Sequence, residues 1–185
     1  MKRYDYYEGP YGRMLLVAEG EVLCAAYFTG QKHYRAPARD WVRDPDAPPL
    51  AQARRELDEY FDGKRKGFDV PVAAAGTPFQ RAVWRAIAGV AFGETISYAE
   101  LARRAGRPGS ARAAGAATGR NPVGVFVPCH RIVGSDGSLT GYAGGVGRKR
   151  ALLALEAGRP LVRRPVTSSF GRRRASLSRS SARSS

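Results

Sequence analysis

The residues most able to do chemistry in this chain are a cysteine and a histidine adjacent in sequence, Cys129 and His130. They lie in the run Pro128-Cys129-His130-Arg131, after an apolar stretch and before a glycine-rich loop. A thiol with a pKa of about 8.5 is only slightly ionised at neutral pH, and lowering that pKa by about two units takes about 2.7 kcal/mol. An imidazole that accepts the proton, oriented by a carboxylate, is the usual means. The pair therefore indicates a nucleophilic thiol.

Glu156 and Asp136 are the carboxylates that could orient this histidine. Glu156 is the better candidate because it is the one acidic residue of the last predicted helix, whereas Asp136 lies in a glycine- and serine-rich loop. Neighbouring residues of a strand point to opposite faces, so contact between Cys129 and His130 needs a turn at Cys129 or a bridging water. A cysteine that only packs, beside a hydrogen-bonded core histidine, is the alternative.

Metal sites and disulfides are not expected. The cysteines and histidines are Cys24, His33, Cys129 and His130, and no pair of them has the spacing of a zinc finger. Cys24 lies among apolar residues and is interpreted as packing. Two cysteines in 185 residues predict no disulfide framework, and we find neither a signal peptide nor an apolar run of the roughly 20 residues that a membrane span needs. We expect a soluble, cytoplasmic protein with free thiols.

The charge of the chain predicts a polyanionic partner. The formal net charge is +15, and the isoelectric point is near 10.6. Seven arginines and no acidic residue fall in the Ser/Arg-rich tail at 163–185, so subtracting them leaves +8 for residues 1–162. Such a field attracts nucleic acid most often and anionic membranes next. We predict a disordered tail that either adds DNA affinity or solvates the chain, and its composition favours the second role.

The pattern of apolar residues divides the chain into an N-terminal α/β part and a helical C-terminal part. Apolar runs at 14–18 and 22–28 flank a glycine turn, which predicts a hairpin. A polar loop at 31–48 precedes a helix at 49–62, and residues 68–72 are predicted to be extended. A boundary at 73–76 gives domains at residues 1–73 and 77–162, followed by the tail at 163–185.

The C-terminal part carries a predicted helix-turn-helix. Thr77 and Ser97 have the chemistry of helix starts, and Ser110 opens a short alanine-rich helix after a glycine turn. Two short helices across such a turn suggest DNA binding, with simple packing as the alternative. Arg112 on the second helix either contacts phosphate, replaces an extruded base, or is a solvated surface residue. We expect an apolar strand into Cys129, a hairpin wing over 134–145 and a final helix from residue 148.

Residues 77–158 resemble the catalytic domain of the O6-alkylguanine-DNA alkyltransferases, also called methylated-DNA–protein-cysteine methyltransferases. The carrying segments are TPFQRAVW, FGETISYAELA, SARAAGAATGRNP, VPCHRIVGSDGSLTGYAGG and RKRALLALE. The resemblance implies an α+β fold, in which an N-terminal ribonuclease-H-like α/β domain precedes a helical, winged helix-turn-helix catalytic domain. Residues 1–72 match more loosely, and the tail is not part of the family pattern.

The resemblance implies direct reversal of DNA damage. Cys129 would accept the alkyl group of a flipped O6-alkylguanine, with O4-alkylthymine as a further candidate substrate. His130 would act as base through a water, Glu156 would orient it, and Tyr98 would protonate the departing guanine. The alkyl group stays on Cys129, so each molecule acts once and needs no cofactor. The implied partner is double-stranded DNA, bound by a monomer in the cytoplasm or on the nucleoid.

The resemblance also implies roles for residues around the nucleophile. Asn121 would be the hinge between the recognition helix and the active-site strand, and Arg112 the finger that replaces the flipped nucleotide. The further DNA-binding residues would be Ser110, Gly115 and Ser135. The walls of the substrate pocket would be Val127, Pro128, Tyr142, Ala143 and Gly144. Some family members have a hydroxyl residue in place of Ala143, which leaves the breadth of substrates open.

Two other functions remain as alternatives. One is a non-enzymatic sensor that recognises alkylated bases and recruits other repair factors. Relatives of that kind replace the acceptor cysteine, and Cys129 is present here. The other is a thiol hydrolase or redox protein, which ranks last because the sequence has no second cysteine near Cys129 and no oxyanion-hole motif.

Overall fold

The computed structural model describes residues 1–159. The predicted disordered tail at 163–185 lies outside the described residues. Within residues 1–159 no helix is long and apolar enough to cross a membrane.

The N-terminal half is a four-stranded sheet with one helix on it. Strands β1 (Lys2–Gly9), β2 (Gly12–Glu19) and β3 (Val22–Phe28) form an antiparallel meander, and the short β4 (Val42–Arg43) pairs in parallel with β1. The sheet order is β3-β2-β1-β4. The predicted hairpin is confirmed as β2 and β3.

Helix α1 (Pro48–Phe61) confirms the helix predicted over 49–62. Its apolar residues recur at helical spacing and are buried against the sheet: Leu50, Ala53, Leu57, Tyr60 and Phe61. Gly63 follows at φ +75°, a left-handed conformation that glycine adopts without steric cost, so the helix ends there.

The C-terminal half contains four helices and two short strands. Helices α2 (Pro78–Ala88), α3 (Tyr98–Arg104), α4 (Ala111–Gly119) and α5 (Val146–Glu156) occur in that order. Strands β5 (Ile96–Ser97) and β6 (Ile132–Val133) pair in parallel beside them. Helices α3 and α4 pack against each other across the turn at 105–110, which confirms the helix-turn-helix.

Helices begin after all three predicted positions, but only Thr77 and Ser97 cap their helices through the side chain, whereas Ser110 does not. Thr77 and Gln80 form a reciprocal capping box on α2. On α3 the Ser97 side chain accepts a hydrogen bond from the Glu100 amide, but the Glu100 carboxylate pairs with Arg103 and Arg104 instead. Arginines one turn along the helix compete successfully for that carboxylate.

The predicted strand leading into Cys129 is wrong. Residues 121–127 form a buried loop, in which the Asn121 side chain donates to the Val127 carbonyl over 2.8 Å and accepts from the Val123 amide over 3.0 Å. Val125 has φ +73°, which turns the chain back on itself. An apolar run can thus be buried as a loop when a side-chain amide satisfies its backbone.

The predicted hairpin wing is also wrong. Residues 134–145 form a loop without strands, closed at its start by a hydrogen bond from the Gly134 amide to the Ser138 carbonyl. The strand before it, β6, pairs in parallel with β5 rather than with the chain that follows. Glycines at positive φ, Gly137 and Gly141, bend the loop and prevent an extended return.

A hydrophobic core joins the two halves. It includes residues of α1, β2, β3, the loop 123–127, α2 and α5. At one edge of the sheet, β3 pairs with the loop, since the Ala26 amide donates to Pro122 and the Gly124 amide donates to Ala26. The sheet thereby fixes the segment that leads into Cys129.

Candidate active site

Cys129 lies in a 3-10 turn, Cys129–Arg131, at the wall of a cavity of about 440 Å³. From the sequence, a turn at Cys129 was required if Cys129 and His130 were not to point to opposite faces. The 3-10 turn provides it, because successive side chains there diverge by about a third of a turn. The thiol is 6% exposed. The cavity is lined by Lys32, His33, Tyr98, Gly115, Ala116, Thr118, Gly119, Arg120, Cys129, Gly141, Tyr142 and Ala143.

The resting thiol of Cys129 is protonated. Burial raises its pKa, while hydrogen bonding to Asn121, the charge of Lys149 and hydrogen bonding to Tyr142 act in the opposite direction. The net effect on the pKa is upward, so these three groups offset only part of the desolvation. Reaction therefore needs a base to remove the proton.

His130 is fully buried in the same turn as Cys129 and is held by Glu156. Its Nε2 lies 2.7 Å from Glu156 Oε1. Burial lowers the pKa of His130 despite the opposing effect of Glu156, and Arg131 and Lys149 lower it further. The imidazole is therefore neutral at pH 7 and able to accept a proton.

The hydrogen-bond network assigns the tautomer of His130. A carboxylate only accepts, so Nε2 carries the proton and donates it to Glu156. Nδ1 is then the nitrogen with a free lone pair. It is buried and has no hydrogen-bond partner among residues 1–159. Nδ1 is thus the atom of His130 that can act as a base.

Glu156 is held as an anion by three side chains from two elements: His130 and Arg131 of the 3-10 turn, and Tyr60 of α1. Arg131 donates to both carboxylate oxygens, and Tyr60 of α1 donates to Oε1 over 2.6 Å. Burial raises the pKa of Glu156, but hydrogen bonds from His130 and Arg131 outweigh it and bring the pKa to about 2. Asp136, the other candidate carboxylate, instead accepts from the Ser138 amide in an exposed turn.

Lys149 is a buried cation that the sequence did not single out. Its side chain is inaccessible to solvent, and Nζ donates to the carbonyls of Ile132, Thr140 and Gly141 at 2.5, 3.1 and 3.4 Å. Burial lowers the pKa of Lys149, and its interaction with Cys129 raises it. Since its acceptors are neutral carbonyls, its charge remains available to stabilise a thiolate on Cys129.

Tyr98 lies at the N-terminus of α3 and lines the cavity with Cys129. Burial raises its pKa, so the phenol is protonated at neutral pH. The hydroxyl donates to the Thr140 carbonyl over 3.1 Å. It can protonate a bound base once that hydrogen bond is given up.

Helix α4 presents small residues to the cavity and Arg112 to solvent. A Cβ on Gly115 would lie 3.5 Å from the Tyr98 ring, so this glycine keeps the cavity open beside α3. Ala114 and Ala117 are buried, and Trp84 of α2 donates to the Ala117 carbonyl over 2.9 Å. The helix is thus anchored on one face, whereas Arg112 is exposed.

The structure gathers only part of the predicted pocket. Tyr142 and Ala143 line the cavity, whereas Val127 and Pro128 are buried beneath Cys129. Gly144 is buried, with the Tyr142 ring within 2.7 Å of where a Cβ would stand.

The two predicted DNA-binding serines lie apart from the cavity walls. Ser135 lies in the exposed turn after β6, and Ser110 precedes α4 without forming a side-chain cap.

Three residues near the site were missed by sequence reasoning, besides Lys149: Lys32, His33 and Arg120. The first two come from a loop of the N-terminal half, and no spacing rule connects them with Cys129. Within residues 1–159 no group of three or more His, Cys, Asp and Glu side chains is placed to hold a metal ion.

Two protein-family models match nearly all of the described chain. The first, described as "6-O-methylguanine DNA methyltransferase, ribonuclease-like domain", matches residues 2–74. The second, described as "6-O-methylguanine DNA methyltransferase, DNA binding domain", matches residues 78–158. Residues 75–77 separate the two matched ranges and lie between the strand-rich half and the helical half.

Curated relatives and a solved structure agree with these models. A methylated-DNA–protein-cysteine methyltransferase of Mycobacterium tuberculosis is 43% identical over 159 residues, covering 86% of this chain and 94% of the relative. One from Methanosarcina barkeri is 43% identical over 154 residues, covering 83% and 96%. The crystal structure of Mycobacterium tuberculosis OGT in complex with DNA superposes with a TM-score of 0.78 at 43% identity, covering 85% of this chain and 94% of that one.

Proposed function

The chain belongs to the 6-O-methylguanine DNA methyltransferase family, and from this premise we propose that it repairs DNA as a methylated-DNA–protein-cysteine S-methyltransferase. The observation that carries the proposal is the position of Cys129 at the wall of a cavity that is large enough for a base and is also lined by Tyr98 and helix α4; His130, in the same turn as Cys129, contacts Glu156. A base inside a duplex is out of reach of a side chain, so a cavity beside a helix-turn-helix suits a flipped nucleotide.

The proposed substrate is O6-alkylguanine in double-stranded DNA, with O4-alkylthymine as a second candidate. The Cys129 thiolate attacks the alkyl carbon, an S–C bond forms, and the C–O6 bond breaks with its electron pair on the guanine. The thiol proton passes to Nδ1 of His130 through a water. Lys149 and Tyr142 favour the thiolate by charge and by hydrogen bonding.

Protonation of the leaving group is the second proposed step. Guanine leaves as an anion, and a phenol at the cavity wall can supply the proton. Tyr98 is the candidate because it lines the cavity with Cys129 and is protonated at neutral pH. The Thr140 carbonyl holds the hydroxyl until the base arrives.

DNA binding is proposed to centre on α4. Its small residues allow close approach to a groove, and the exposed Arg112 would fill the space that the flipped nucleotide leaves. Asn121 would hold the hinge between α4 and the nucleophile, consistent with its two hydrogen bonds across the loop. Binding of this kind depends mostly on phosphate contacts, so it should weaken steeply with salt.

The reaction is proposed to occur once per molecule. An alkyl thioether is stable, and the proposed mechanism contains no step that returns the thiolate. The nucleophile, the base and the proton donor all come from one chain, so a second copy is not needed to complete the site. We propose that the protein acts as a monomer in the cytoplasm. We propose residues 1–73 and 77–162 as the two domains.

The test is an intact-mass measurement after incubation with a duplex that carries one O6-methylguanine. We expect a gain of one methylene mass, located on the peptide that contains Cys129 and abolished by Cys129→Ala. A folded protein that binds this duplex without gaining mass would overturn the proposal and leave the non-enzymatic sensor as the function.

A further inference from the structure

The cavity that holds Cys129 is completed by a segment of the N-terminal half. Lys32 and His33 line it, and they are the part of that half, within residues 1–159, that reaches its walls. The loop follows β3 directly and is exposed at both residues, and sequence reasoning assigned it no role. Lys32 and His33 therefore lie where they can contact DNA bound at the cavity.

The segment is held in a defined conformation. The Phe28 amide donates to the Gln31 side chain, and the amides of Gln31 and Tyr34 donate to backbone carbonyls of the same loop. The Lys32 amide donates to the Ala143 carbonyl over 3.0 Å, which ties the loop to a neighbouring segment of the cavity wall. Lys32 therefore approaches the cavity from a fixed backbone.

His33 adopts a conformation that few residues other than glycine adopt. Its φ is +64°, in the left-handed region, which is unfavourable for a residue with a Cβ. Two consecutive side chains, Lys32 and His33, line the cavity from this bend in the loop. The bend therefore brings a cation of the N-terminal half to the mouth of the site.

The permanently charged residues that line the cavity are all cations. Its lining, drawn from the described residues, contains two permanent cations, Lys32 and Arg120, and no carboxylate. Neither cation forms an ion pair among residues 1–159. A flipped guanine is neutral and would not need two unpaired cations, whereas the phosphates of its nucleotide would.

We propose that Lys32, together with Arg120, binds the phosphate backbone next to the flipped nucleotide, so that the N-terminal half takes part directly in DNA recognition. The inference rests on the proposed function. Arg120 comes from the end of α4 and Lys32 from the loop after β3, so the two cations reach the DNA strand from the two halves of the protein. His33 lines the cavity beside Lys32.

The test compares the full-length protein with Lys32→Ala, Lys32→Arg and, as a matched control, Lys66→Ala. Lys66 is an exposed lysine in the turn after α1 that does not line the cavity. Methyl transfer from a duplex carrying one O6-methylguanine is followed with protein in excess, at several KCl concentrations. The maximal rate and the half-saturating protein concentration are measured separately.

We expect Lys32→Ala to raise the half-saturating concentration up to about fivefold at low salt and to leave the maximal rate unchanged. The slope of log affinity against log salt should become shallower by about 0.9, the value for one lost phosphate contact. Lys32→Arg should keep the wild-type slope, and Lys66→Ala should change neither quantity.

An unchanged slope for Lys32→Ala would overturn the proposal, and so would a fall in maximal rate alone, which would place Lys32 at the base instead of the phosphate. If the wild-type protein transfers no methyl group, the proposed function fails. Duplex binding measured by fluorescence anisotropy over the same salt range then still decides whether Lys32 contacts phosphate.

Discussion

At the residue scale, the reactivity of Cys129 depends on a balance between burial and the polar side chains around it. Burial protects the thiol from water but raises its pKa. The compensating groups are a neutral base behind it, the His130 ring, and a fixed positive charge beside it, the Lys149 ammonium. Removing either should change the pH at which the cysteine reacts.

Lys149→Met is expected to raise the pKa of Cys129, because the variant keeps the side-chain volume and loses the charge. Each rise of about one in that pKa leaves about tenfold fewer molecules with a thiolate at neutral pH. The readout is the rate at which iodoacetamide alkylates the Cys129 peptide as a function of pH. The matched control is Arg150→Met, an exposed cation on the same helix. An identical pH profile for both variants would contradict the assigned role of Lys149.

Glu156→Gln is expected to destabilise the protein and to remove part of its acid sensitivity. The folded pKa of Glu156 is about 2, below its unfolded value of about 4.3, so its stabilisation is present above about pH 5 and is lost as the pH falls towards 2. The variant leaves the Arg131 charge buried without an anion, which costs about 3–5 kcal/mol. Urea unfolding at pH 7 and at pH 4 measures both effects.

The control for this prediction is Glu59→Gln, the same substitution in a partly exposed pair with Arg65. Pairs at the surface contribute at most about 1 kcal/mol, so its unfolding free energy should change little. If both variants lost the same stability at pH 7, the buried network around Glu156 would not have the importance assigned to it.

Sequence reasoning selects candidate site residues mainly by their chemical type. Cys129, His130 and Glu156 stand out by type and order, and the structure places His130 and Glu156 in contact. Lys149 did not stand out, because it lies in a run of basic residues on α5 that resembles a solvated face. Its role depends on burial beside Cys129, which no local pattern encodes.

At the element scale, the loop 121–127 places Cys129 and His130 in an arrangement that the predicted strand would not allow. A strand would point Cys129 and His130 to opposite faces, whereas the loop delivers them into a 3-10 turn. The error arose because a run of buried apolar residues is the same signal in a strand and in a core loop. Asn121 distinguishes this loop from a strand. Its side chain bonds the Val127 carbonyl and the Val123 amide, which a neighbouring strand would otherwise bond.

Asn121 variants should separate stability from reactivity. Asn121→Ala removes both hydrogen bonds of the side chain and should cost about 1–3 kcal/mol of unfolding free energy. Asn121→Asp keeps the acceptor for the Val123 amide, but it loses the donor to the Val127 carbonyl and buries a carboxylate against that oxygen, so it should cost more. Its carboxylate also lies near the sulfur and raises the pKa of Cys129, so methyl transfer should slow more than in Asn121→Ala.

Urea unfolding and single-turnover transfer rates test this prediction on the same two proteins. Per folded molecule, transfer should be slower in Asn121→Asp than in Asn121→Ala. Equal transfer rates per folded molecule in the two variants would show that Asn121 acts only by holding the loop.

At the scale of the whole molecule, the N-terminal half supports the active site through α1. The helix was predictable from its apolar spacing, but its contact with the site was not, because Tyr60 and Glu156 are 96 positions apart. Tyr60 is fully buried, and its hydroxyl donates to Glu156 and lies 3.5 Å from Nε2 of His130. One phenol thus connects the N-terminal half to the proposed catalytic pair, His130 and Glu156.

Tyr60→Phe removes that hydroxyl and keeps the packing of the ring. We expect a loss of about 1–3 kcal/mol in unfolding free energy, since Glu156 is left with one hydrogen-bond donor fewer in a buried site. We also expect slower methyl transfer, because the His130–Glu156 contact is less firmly oriented. Tyr7→Phe is the matched control, since Tyr7 donates to Asp58 of the same helix, away from His130. Tyr7→Phe should lower the unfolding free energy without slowing methyl transfer. If both variants slowed transfer equally, α1 would affect the site only through global stability.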